Sequence, residues 1–317
     1  MENQEGLRKT FEAFLSKYRE SRIAIATHSR ADADAISSAF AMSKILPNSV
    51  ICTSEEMREG AKMLAERFSM EVSEPASLDK KEFDGMVAVD TGTYTLLPDA
   101  RGWDILCIID HHQAEGRDMK AEFEIIDDKS PSTAEMIAAL YPETDREAAF
   151  ALAVGIIADA ARFKSARKES FSILAELMEK ADAEYAELLE YAEPEPSGDA
   201  KMAMLKAMSR VKYVYSGGYI IATSEVGSNE SSAASLLAEA ADVAFVASWR
   251  DRERETRISA RAGKHVRVPL NKVLSEVGNA FGGAGGGHPK AAGASSKEHT
   301  EETLEKCVEV FVRMAEQ

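Results

Sequence analysis

The chain of 317 residues has only three cysteines, Cys52, Cys107 and Cys307, and no two of them form a C-x-x-C pair. Because two of them lie in apolar, strand-like runs, we interpret them as buried thiols in a reducing cytoplasm. Long apolar runs are also missing, since none approaches the roughly 20 residues that a helix needs to cross a bilayer. The charged amphipathic N-terminus lacks the apolar core of a signal peptide. These absences predict a cytoplasmic protein without a membrane segment.

Positive charge is scarce, because 38 Lys and Arg stand against 54 Asp and Glu and the net charge is −16. Proteins that coat long duplex nucleic acid neutralise many phosphates, so this charge argues against such a partner. It does not argue against a small anionic substrate that metal ions hold locally. The length of the chain predicts about two domains.

Short apolar runs alternate with helical patterns between residue 22 and about residue 163. Strands are predicted at 22–28, 49–54, 85–91, 104–111 and 123–127, and helices at 34–46, 55–68, 132–140 and 145–159. Near-continuous apolar strands separated by helices are typical of a parallel sheet covered on both faces. We therefore predict an α/β fold whose first domain is a doubly wound parallel sheet.

Two more predicted helices, at roughly 168–191, lead to the sequence AEPEPSGDA, whose prolines, glycine and acids are typical of a linker. We place the first domain at residues 1–191, the linker at 192–199 and the second domain at 200–317. In the second domain, helices are predicted at 199–214, 231–241 and 300–316, and strands at 218–226, 243–250 and 255–262. This pattern predicts a smaller α/β domain with a mixed sheet, and we expect the active-site cleft between the two domains.

Histidines and aspartates stand where three predicted strands end: His28 after the first, Asp90 after the third, and Asp110, His111 and His112 after the fourth. The carboxyl ends of parallel strands meet at one edge of a sheet, so we expect these side chains to lie together. Asp32 and Asp34 follow His28 in the loop to the next helix. Asp159 lies in an otherwise apolar helix, where a carboxylate without a partner is costly.

A single aspartate after a strand is most often a helix cap or a turn residue, and a single histidine is seldom a ligand. Here that interpretation would have to hold at four places at once, so we favour metal binding. Carboxylates and imidazoles without thiolates suit Mn²⁺, with Mg²⁺ or Co²⁺ as alternatives, and disfavour structural zinc. Six such residues exceed the needs of one ion. They predict two metal ions about 3.5–4 Å apart, bridged by one carboxylate, as in enzymes that displace groups at phosphorus.

Five segments, in order, resemble the motifs of the DHH phosphoesterase family: HSRADADAISS, VAVDTG, IIDHH, GIIADAARF and GGAGGGHPKAAGAS. The last is similar to the DHH-associated domain of the RecJ and nanoRNase branches, and the resemblance spans roughly residues 20–315. The fourth motif departs from the family pattern, in which Thr often precedes the aspartate and Thr-Gly follows it. This chain has Ala158, Ala160 and Ala161 around Asp159.

The resemblance implies a ligand set for each of two metals: His28, Asp32 and Asp90 for one, and Asp34, Asp90, His111 and Asp159 for the other. Asp90 would thus bridge the two ions. The resemblance also implies that His112 faces the scissile phosphate, where it stabilises charge or protonates the leaving oxygen. Asp110 would orient the neighbouring histidines.

A glycine-rich stretch and a basic segment in the second domain suggest a phosphate pocket. The stretch is either a flexible loop or a cradle in which the backbone of Gly285, Gly286 and Gly287 approaches a phosphate beside His288. Residues 249–267 hold seven Arg or Lys against three acids. Among them Arg261, in a segment that resembles the Ser-x-Arg segment of the family, is the best candidate for a phosphate clamp. Arg162 is a further candidate.

These features together predict a Mn²⁺-dependent phosphoesterase that cleaves short nucleotides. Its substrates would be oligoribonucleotides of a few residues, 3′-phosphoadenosine 5′-phosphate, or linear products of cyclic dinucleotides. The alternatives are a cyclic-di-AMP phosphodiesterase, a RecJ-like single-strand exonuclease and, from another class, a non-catalytic scaffold. We expect no membrane and no long duplex nucleic acid as partners, and a homodimer stays open.

Overall fold

The computed structural model describes residues 2–54, 56–112, 117–160, 163 and 165–317, with only the backbone of Glu2 and Asn3. Two compact units, Met1–Glu195 and Pro196–Gln317, make up the chain. The first unit is joined to the second between a helix that ends at Ala192 and one that begins at Gly198. Among the described residues, no helix is both long enough and apolar enough to cross a membrane.

The first unit is built on six strands: β1 (Ile23–Ala26), β2 (Ser49–Cys52), β3 (Val72–Ser73), β4 (Gly85–Val89), β5 (Ile105–Asp110) and β6 (Phe123–Ile126). All neighbouring strands are parallel, in the order β3-β2-β1-β4-β5-β6. Residues of β1 and β4 are completely buried, which explains why their sequences are continuously apolar. The predicted parallel sheet is confirmed.

The described residues of this unit form seven helices: α1 (Glu2–Tyr18), α2 (Ala33–Ile45), α3 (Glu59–Arg67), α4 (Thr133–Leu140), α5 (Arg146–Asp159), α6 (Lys168–Ala181) and α7 (Tyr185–Ala192). Side chains from all seven pack in or against the cluster that contains Ile23 and Ile25. Ala24 and Ala26 face the other way, into a second cluster with Leu97 that is covered by short 3₁₀ segments and loops. The sheet is therefore buried on both faces, and its carboxyl edge is where polar side chains emerge.

The second unit contains a further six strands and four helices: α8 (Gly198–Arg210), β7 (Lys212–Ser216), β8 (Tyr219–Glu225), α9 (Glu230–Leu237), β9 (Val243–Arg250), β10 (Glu255–Ala262), α10 (Leu270–Ala280), β11 (Gly285–His288), β12 (Ala291–Ser296) and α11 (Thr300–Ala315). The strand order is β11-β12-β10-β9-β8-β7. Only β8 and β9 pair in parallel, so the predicted mixed sheet is confirmed.

The helix predicted at residues 199–214 is wrong in its last four residues, 211–214. The helix ends at Arg210, and Lys212–Ser216 forms β7, which pairs with β8 across Gly217 and Gly218. Both glycines have positive φ angles, 60° and 82°, as a two-residue hairpin turn requires. Alternating valine and tyrosine also favour a strand over a helix. The helical pattern of residues 199–210 runs directly into β7, so the sequence pattern alone does not separate the helix from the strand.

The glycine-rich stretch is a strand, because Gly285–His288 pairs with β12, and α10 before it is a helix that the sequence analysis did not predict. A Cβ atom on Gly285 would lie 2.0 Å from the carbonyl oxygen of Leu274, whereas one on Gly286 would have no neighbour within 4 Å. Glycine at 285 is therefore required for the strand to lie against α10.

We expect Gly285→Ala to lower the free energy of unfolding by about 2 kcal/mol or more, because the new methyl group overpacks a backbone contact. Gly286→Ala, one residue away in the same strand, is the matched control and should change it by less than about 1 kcal/mol. Thermal unfolding of both variants measures the difference. Equal destabilisation by the two substitutions would show that the close approach to α10 is not the reason why glycine is needed at position 285.

Candidate functional site

The candidate site lies where the direction of strand connections reverses in the first sheet. β1 and β4 are neighbours, yet the chain between them passes through β2 and β3 on one side, while β5 and β6 follow on the other. The loops after β1 and β4 therefore diverge and leave a crevice at the carboxyl edge, which is the usual ligand position in open α/β sheets. His28 and Asp90 come from these two loops.

The start of α2 places two of the predicted ligands. Asp32 is the N-cap, and its side chain accepts a hydrogen bond from the backbone N–H of Ala35 at 3.3 Å. Asp34 lies in the first turn and is almost completely buried. Asp32 caps the helix and also lies beside His28, whose Nε2 is 3.8 Å from Oδ1 of Asp32.

Asp90 stands between two groups of ligand atoms. Its Oδ2 lies 3.5 Å from Nε2 of His28, and its Oδ1 lies 3.5 Å from Nε2 of His111. The residue is 3% exposed and has a left-handed backbone with φ of 61°, a conformation that is uncommon outside glycine. Such strain persists only where surrounding contacts enforce it. The two oxygens thus face in the two directions that a bridging carboxylate needs.

The second group gathers around His111. Its Nε2 lies 3.2 Å from Oδ2 of Asp159, at the end of α5, and 4.0 Å from Oδ2 of Asp34. Three groups of residues could each hold an ion, because the ligand atoms within each group all lie within 4.8 Å of one another. The groups are His28, Asp32 and Asp90; Asp34, His111 and Asp159; and Asp90, His111 and His112. Carboxylate oxygens and imidazole nitrogens suit divalent cations such as Mn²⁺. The structure therefore brings together all six residues predicted as metal ligands.

His112 lies beside the buried ligand candidates, with its Nδ1 3.8 Å from Oδ1 of Asp90, and it pairs with Asp110. Nδ1 of His112 lies 2.7 Å from Oδ1 of Asp110, which also accepts the backbone N–H of His112 at 3.1 Å. About half of the His112 side chain is exposed, whereas Asp110 is buried. The hydrogen bond with Asp110 raises the pKa of His112 to about 9, against the opposing effect of burial. His112 is thus a protonated, accessible side chain at neutral pH.

Arg117 is a neighbour of this pair that the sequence analysis missed. Its guanidinium donates to the backbone carbonyl of His112 at 2.8 Å and lies 3.7 Å from Oδ2 of Asp110. A Cβ atom on Gly92 would lie 2.9 Å from the Arg117 side chain, so this glycine makes room for it. Arg117 belongs to none of the motifs, and only its position in the fold reveals the contact.

The loop between β6 and α4 (residues 127–132, the β6–α4 loop), together with the first turn of α4, is a second feature whose contacts the sequence analysis missed. The backbone N–H groups of Thr133 and Ala134 each donate to a different oxygen of Asp34 at 2.8 Å. The hydroxyl of Thr133 donates to Oδ1 of Asp90 at 2.8 Å, and Nδ1 of His111 lies 3.1 Å from the carbonyl oxygen of Ser130. This loop and the first turn of α4 therefore orient three of the six predicted ligands.

Burial of several carboxylates together changes their proton affinity. Burial and repulsion from Asp90 and Asp159 hold the pKa of Asp34 well above its usual range. Burial also raises the pKa of Asp159 to about 6, although His111 opposes the shift. Burial would lower the pKa of His28, but hydrogen bonds with Asp32 and Asp90 raise it to about 9. Without a cation, protons partly balance the carboxylates, which is the electrostatic setting that divalent metal ions satisfy.

In the second unit, His288 and Arg261 share one row of the sheet. Arg261 in β10 and His288 in β11 both pair with Ala291 of β12, the strand between them. Their side chains therefore emerge on the same face, and their backbone positions are two strand spacings, about 10 Å, apart. The guanidinium of Arg261 donates to the hydroxyl of Ser231, in α9, at 2.6 Å. The backbone N–H of Lys290 donates to Nδ1 of His288 at 3.2 Å, so Nε2 carries the proton in the neutral ring.

The three glycines predicted beside His288 differ in their surroundings. Gly285 contacts α10, and Gly287 needs glycine because its φ is 124°. Gly286 pairs with Gly293 and is exposed, and a Cβ atom on it would meet no atom of the described residues within 4 Å. The candidate Arg162 lies outside the described residues.

Comparisons with known proteins agree with this geometry. Residues 22–156 match the N-terminal domain of the DHH family, and residues 216–317 match the DHHA1 domain. The chain belongs to the DHH family. Membership supports a metal-dependent phosphoesterase, and the ligand groups at the carboxyl edge of the first sheet fit that assignment.

Relatives of this DHH protein include MJ0988 of Methanocaldococcus jannaschii, named as an uncharacterized protein. It is 29% identical over 303 residues, which cover 90% of this chain and 91% of the relative. A crystal structure of an exopolyphosphatase-related protein from Bacteroides fragilis has a TM-score of 0.81 at 17% identity, covering 98% of this chain and 97% of that one. CDC45 from Entamoeba histolytica has a TM-score of 0.54 at 8% identity, covering 97% of each chain. Both structures confirm the α/β fold alone.

The raised pKa values of His28 and Asp159 predict a pH-dependent effect of metal on stability. Their protonated forms stabilise the metal-free fold, so this contribution is lost as the pH rises through about 6 for Asp159 and about 9 for His28. Metal binding requires the deprotonated ligands and becomes stronger over the same range. Added Mn²⁺ should therefore raise the unfolding temperature more at about pH 8.5 than at about pH 6. A larger increase at the lower pH would contradict these proton affinities.

Proposed function

We propose that this DHH protein is a two-metal hydrolase of short nucleotides, with oligoribonucleotides of a few residues or 3′-phosphoadenosine 5′-phosphate as substrates. The observation that carries the proposal is Asp90, whose two oxygens each lie 3.5 Å from the histidine of a different ligand group. His28, Asp32 and Asp90 would hold one ion, and Asp34, Asp90, His111 and Asp159 the other. Mn²⁺ is the best match to these ligands, since oxygen donors and imidazoles are present without thiolates.

A bound pair of divalent ions would supply Lewis acidity for activating a water and for stabilising charge on the phosphoryl group. The protein contributes the fixed geometry. Asp34 accepts two backbone N–H groups and Asp90 accepts the hydroxyl of Thr133, so neither carboxylate has to reorganise when a substrate arrives.

His112 is the candidate general acid. Asp110 fixes its Nδ1 and favours the protonated ring, so Nε2 holds a proton that can be transferred to the leaving oxygen. Arg117 holds the backbone of His112 from the other side. This arrangement resembles the way a buried carboxylate orients a histidine in other hydrolases.

The proposed preference for short nucleotides rests on His288 and Arg261. Arg261 and His288, whose backbone positions are two strand spacings (about 10 Å) apart on one sheet face, can bind a terminal phosphate and its nucleotide. The exposed backbone at Gly286 leaves that face open for a substrate. Binding energy from such a remote group can align the phosphate that is cleaved.

A substrate panel tests the proposed function. Protein stripped with chelator should be inactive and should recover best with Mn²⁺, because the ligand set lacks thiolates. The reloaded protein should hydrolyse dinucleotides or 3′-phosphoadenosine 5′-phosphate faster than cyclic dinucleotides or long single strands. Full activity in chelator would exclude the metal mechanism. Preference for cyclic-di-AMP or for long strands would replace the proposed substrates with the corresponding alternative.

Substitutions in the second unit should separate substrate binding from metal chemistry. His288→Ala and Arg261→Ala should lower kcat/KM on short 5′-phosphorylated substrates by roughly 10- to 100-fold, because a charge-assisted contact to phosphate is lost. Both variants should retain activity on bis-p-nitrophenyl phosphate, which lacks a remote phosphate. Equal losses on both substrates would mean that these residues support the fold rather than the substrate.

A further inference from the structure

Arg167 lies in none of the sequence motifs, yet it contacts the part of the first unit that orients the metal ligands. It immediately precedes α6, and its backbone N–H donates to the hydroxyl of Ser170 at 3.0 Å, which fixes the start of that helix. Its guanidinium donates to Oε1 of Glu135, and another of its nitrogens lies 3.7 Å from Oδ2 of Asp127. Both acids are nearly inaccessible, with 1% exposure for Glu135 and 8% for Asp127.

Asp127 begins the β6–α4 loop and determines its course. The backbone N–H of Asp127 donates to the carbonyl of Asp110 at 3.2 Å, and the carbonyl of Asp127 accepts the N–H of Ser130 at 3.0 Å. The carbonyl of Ser130 is the partner of Nδ1 of His111. A displacement of Asp127 is therefore transmitted to the histidine through two hydrogen bonds.

Glu135 lies at the other end of the same loop, in the first turn of α4. Its backbone N–H donates to the hydroxyl of Ser132 at 3.0 Å, which caps the helix. The two preceding residues, Thr133 and Ala134, donate to Asp34. The side chain of Glu135 thus anchors the helix start from which Asp34 and Asp90 are oriented.

A planar guanidinium can contact two carboxylates at once with fixed geometry, whereas an ammonium is a point charge on a flexible stem. Arg167 uses this property to join both ends of the β6–α4 loop to α6. The adjoining helix, α5, carries Asp159, and it packs closely against α6. Arg167 therefore connects the loop that orients Asp34, Asp90 and His111 with the helix pair that presents Asp159.

The geometry points to Arg167 as a positioning residue of the metal site, which acts through Asp127 and Glu135 without touching metal or substrate. This inference rests on the proposed two-metal function. Residues that orient ligands from outside the ligand set commonly change metal affinity by about 10- to 100-fold. We expect a change of that size in the affinity for Mn²⁺ when the contact of Arg167 with both acids is lost.

The test is the dissociation constant for Mn²⁺, measured by calorimetric titration of chelator-treated full-length protein, with thermal unfolding recorded in parallel. Arg167→Lys keeps the charge and should bind Mn²⁺ roughly tenfold more weakly while unfolding near the wild-type temperature. The double variant Arg167→Met with Glu135→Gln removes both charges of the buried pair, so no carboxylate of that pair is left unbalanced. It should fold, and bind Mn²⁺ about 10- to 100-fold more weakly.

Arg146→Met is the matched control. Arg146 also bridges α5 and the end of α6, through the carbonyl of Ala181 and the carboxylate of Asp182, but its side chain is mostly exposed and it lies at the opposite end of α5 from Asp159. This variant should bind Mn²⁺ as tightly as the wild-type protein.

The outcomes distinguish the inference from the proposed function. Wild-type affinity for Mn²⁺ in Arg167→Lys and in the double variant would overturn the positioning role while leaving the metal site intact. An equal loss of Mn²⁺ affinity in Arg146→Met would also overturn the positioning role of Arg167, because any disturbance of α5 and α6 would then be enough to weaken Mn²⁺ binding. Wild-type protein that binds no Mn²⁺ would overturn the metal site itself, and the positioning role with it.

Discussion

The repulsion among buried carboxylates around Asp90 is the constraint on which the first unit depends. Asp34 and Asp90 are almost completely buried within a few ångströms of Asp159, and no fold places such charges together without compensation. Bound protons provide part of the compensating positive charge, as the raised pKa values of Asp34 and His28 indicate. Divalent cations are the natural replacement, because each ion balances two carboxylates and accepts their oxygens as ligands.

Backbone hydrogen bonds orient several of these side chains. Two N–H groups at the start of α4 hold Asp34, and the carbonyl of Ser130 fixes the ring of His111. Backbone groups orient a ligand without adding a positive charge that would compete with a cation. Arg117 contacts the Asp110–His112 pair, Arg167 contacts both ends of the β6–α4 loop, and Arg58 lies 3.5 Å from Oδ2 of Asp32.

The sequence predicted which side chains gather at the candidate site but little of what orients them. His28, Asp90 and His111 could be recognised because they follow apolar strands whose ends must meet at one edge of a parallel sheet. The contact of Thr133 with Asp34 joins residues that are 99 positions apart, and local patterns carry no signal for such contacts. β7 was missed for a related reason, since its stability comes from pairing with β8 across a glycine turn.

In the proposed function, one carboxylate, Asp90, bridges two metal ions at the carboxyl edge of the first sheet. A crystal structure of protein loaded with Mn²⁺, with anomalous diffraction recorded at the manganese edge, tests it most directly. We predict two anomalous peaks about 3.5–4 Å apart, one on each side of the Asp90 carboxylate. A single peak, or two peaks that do not share Asp90, would contradict the account.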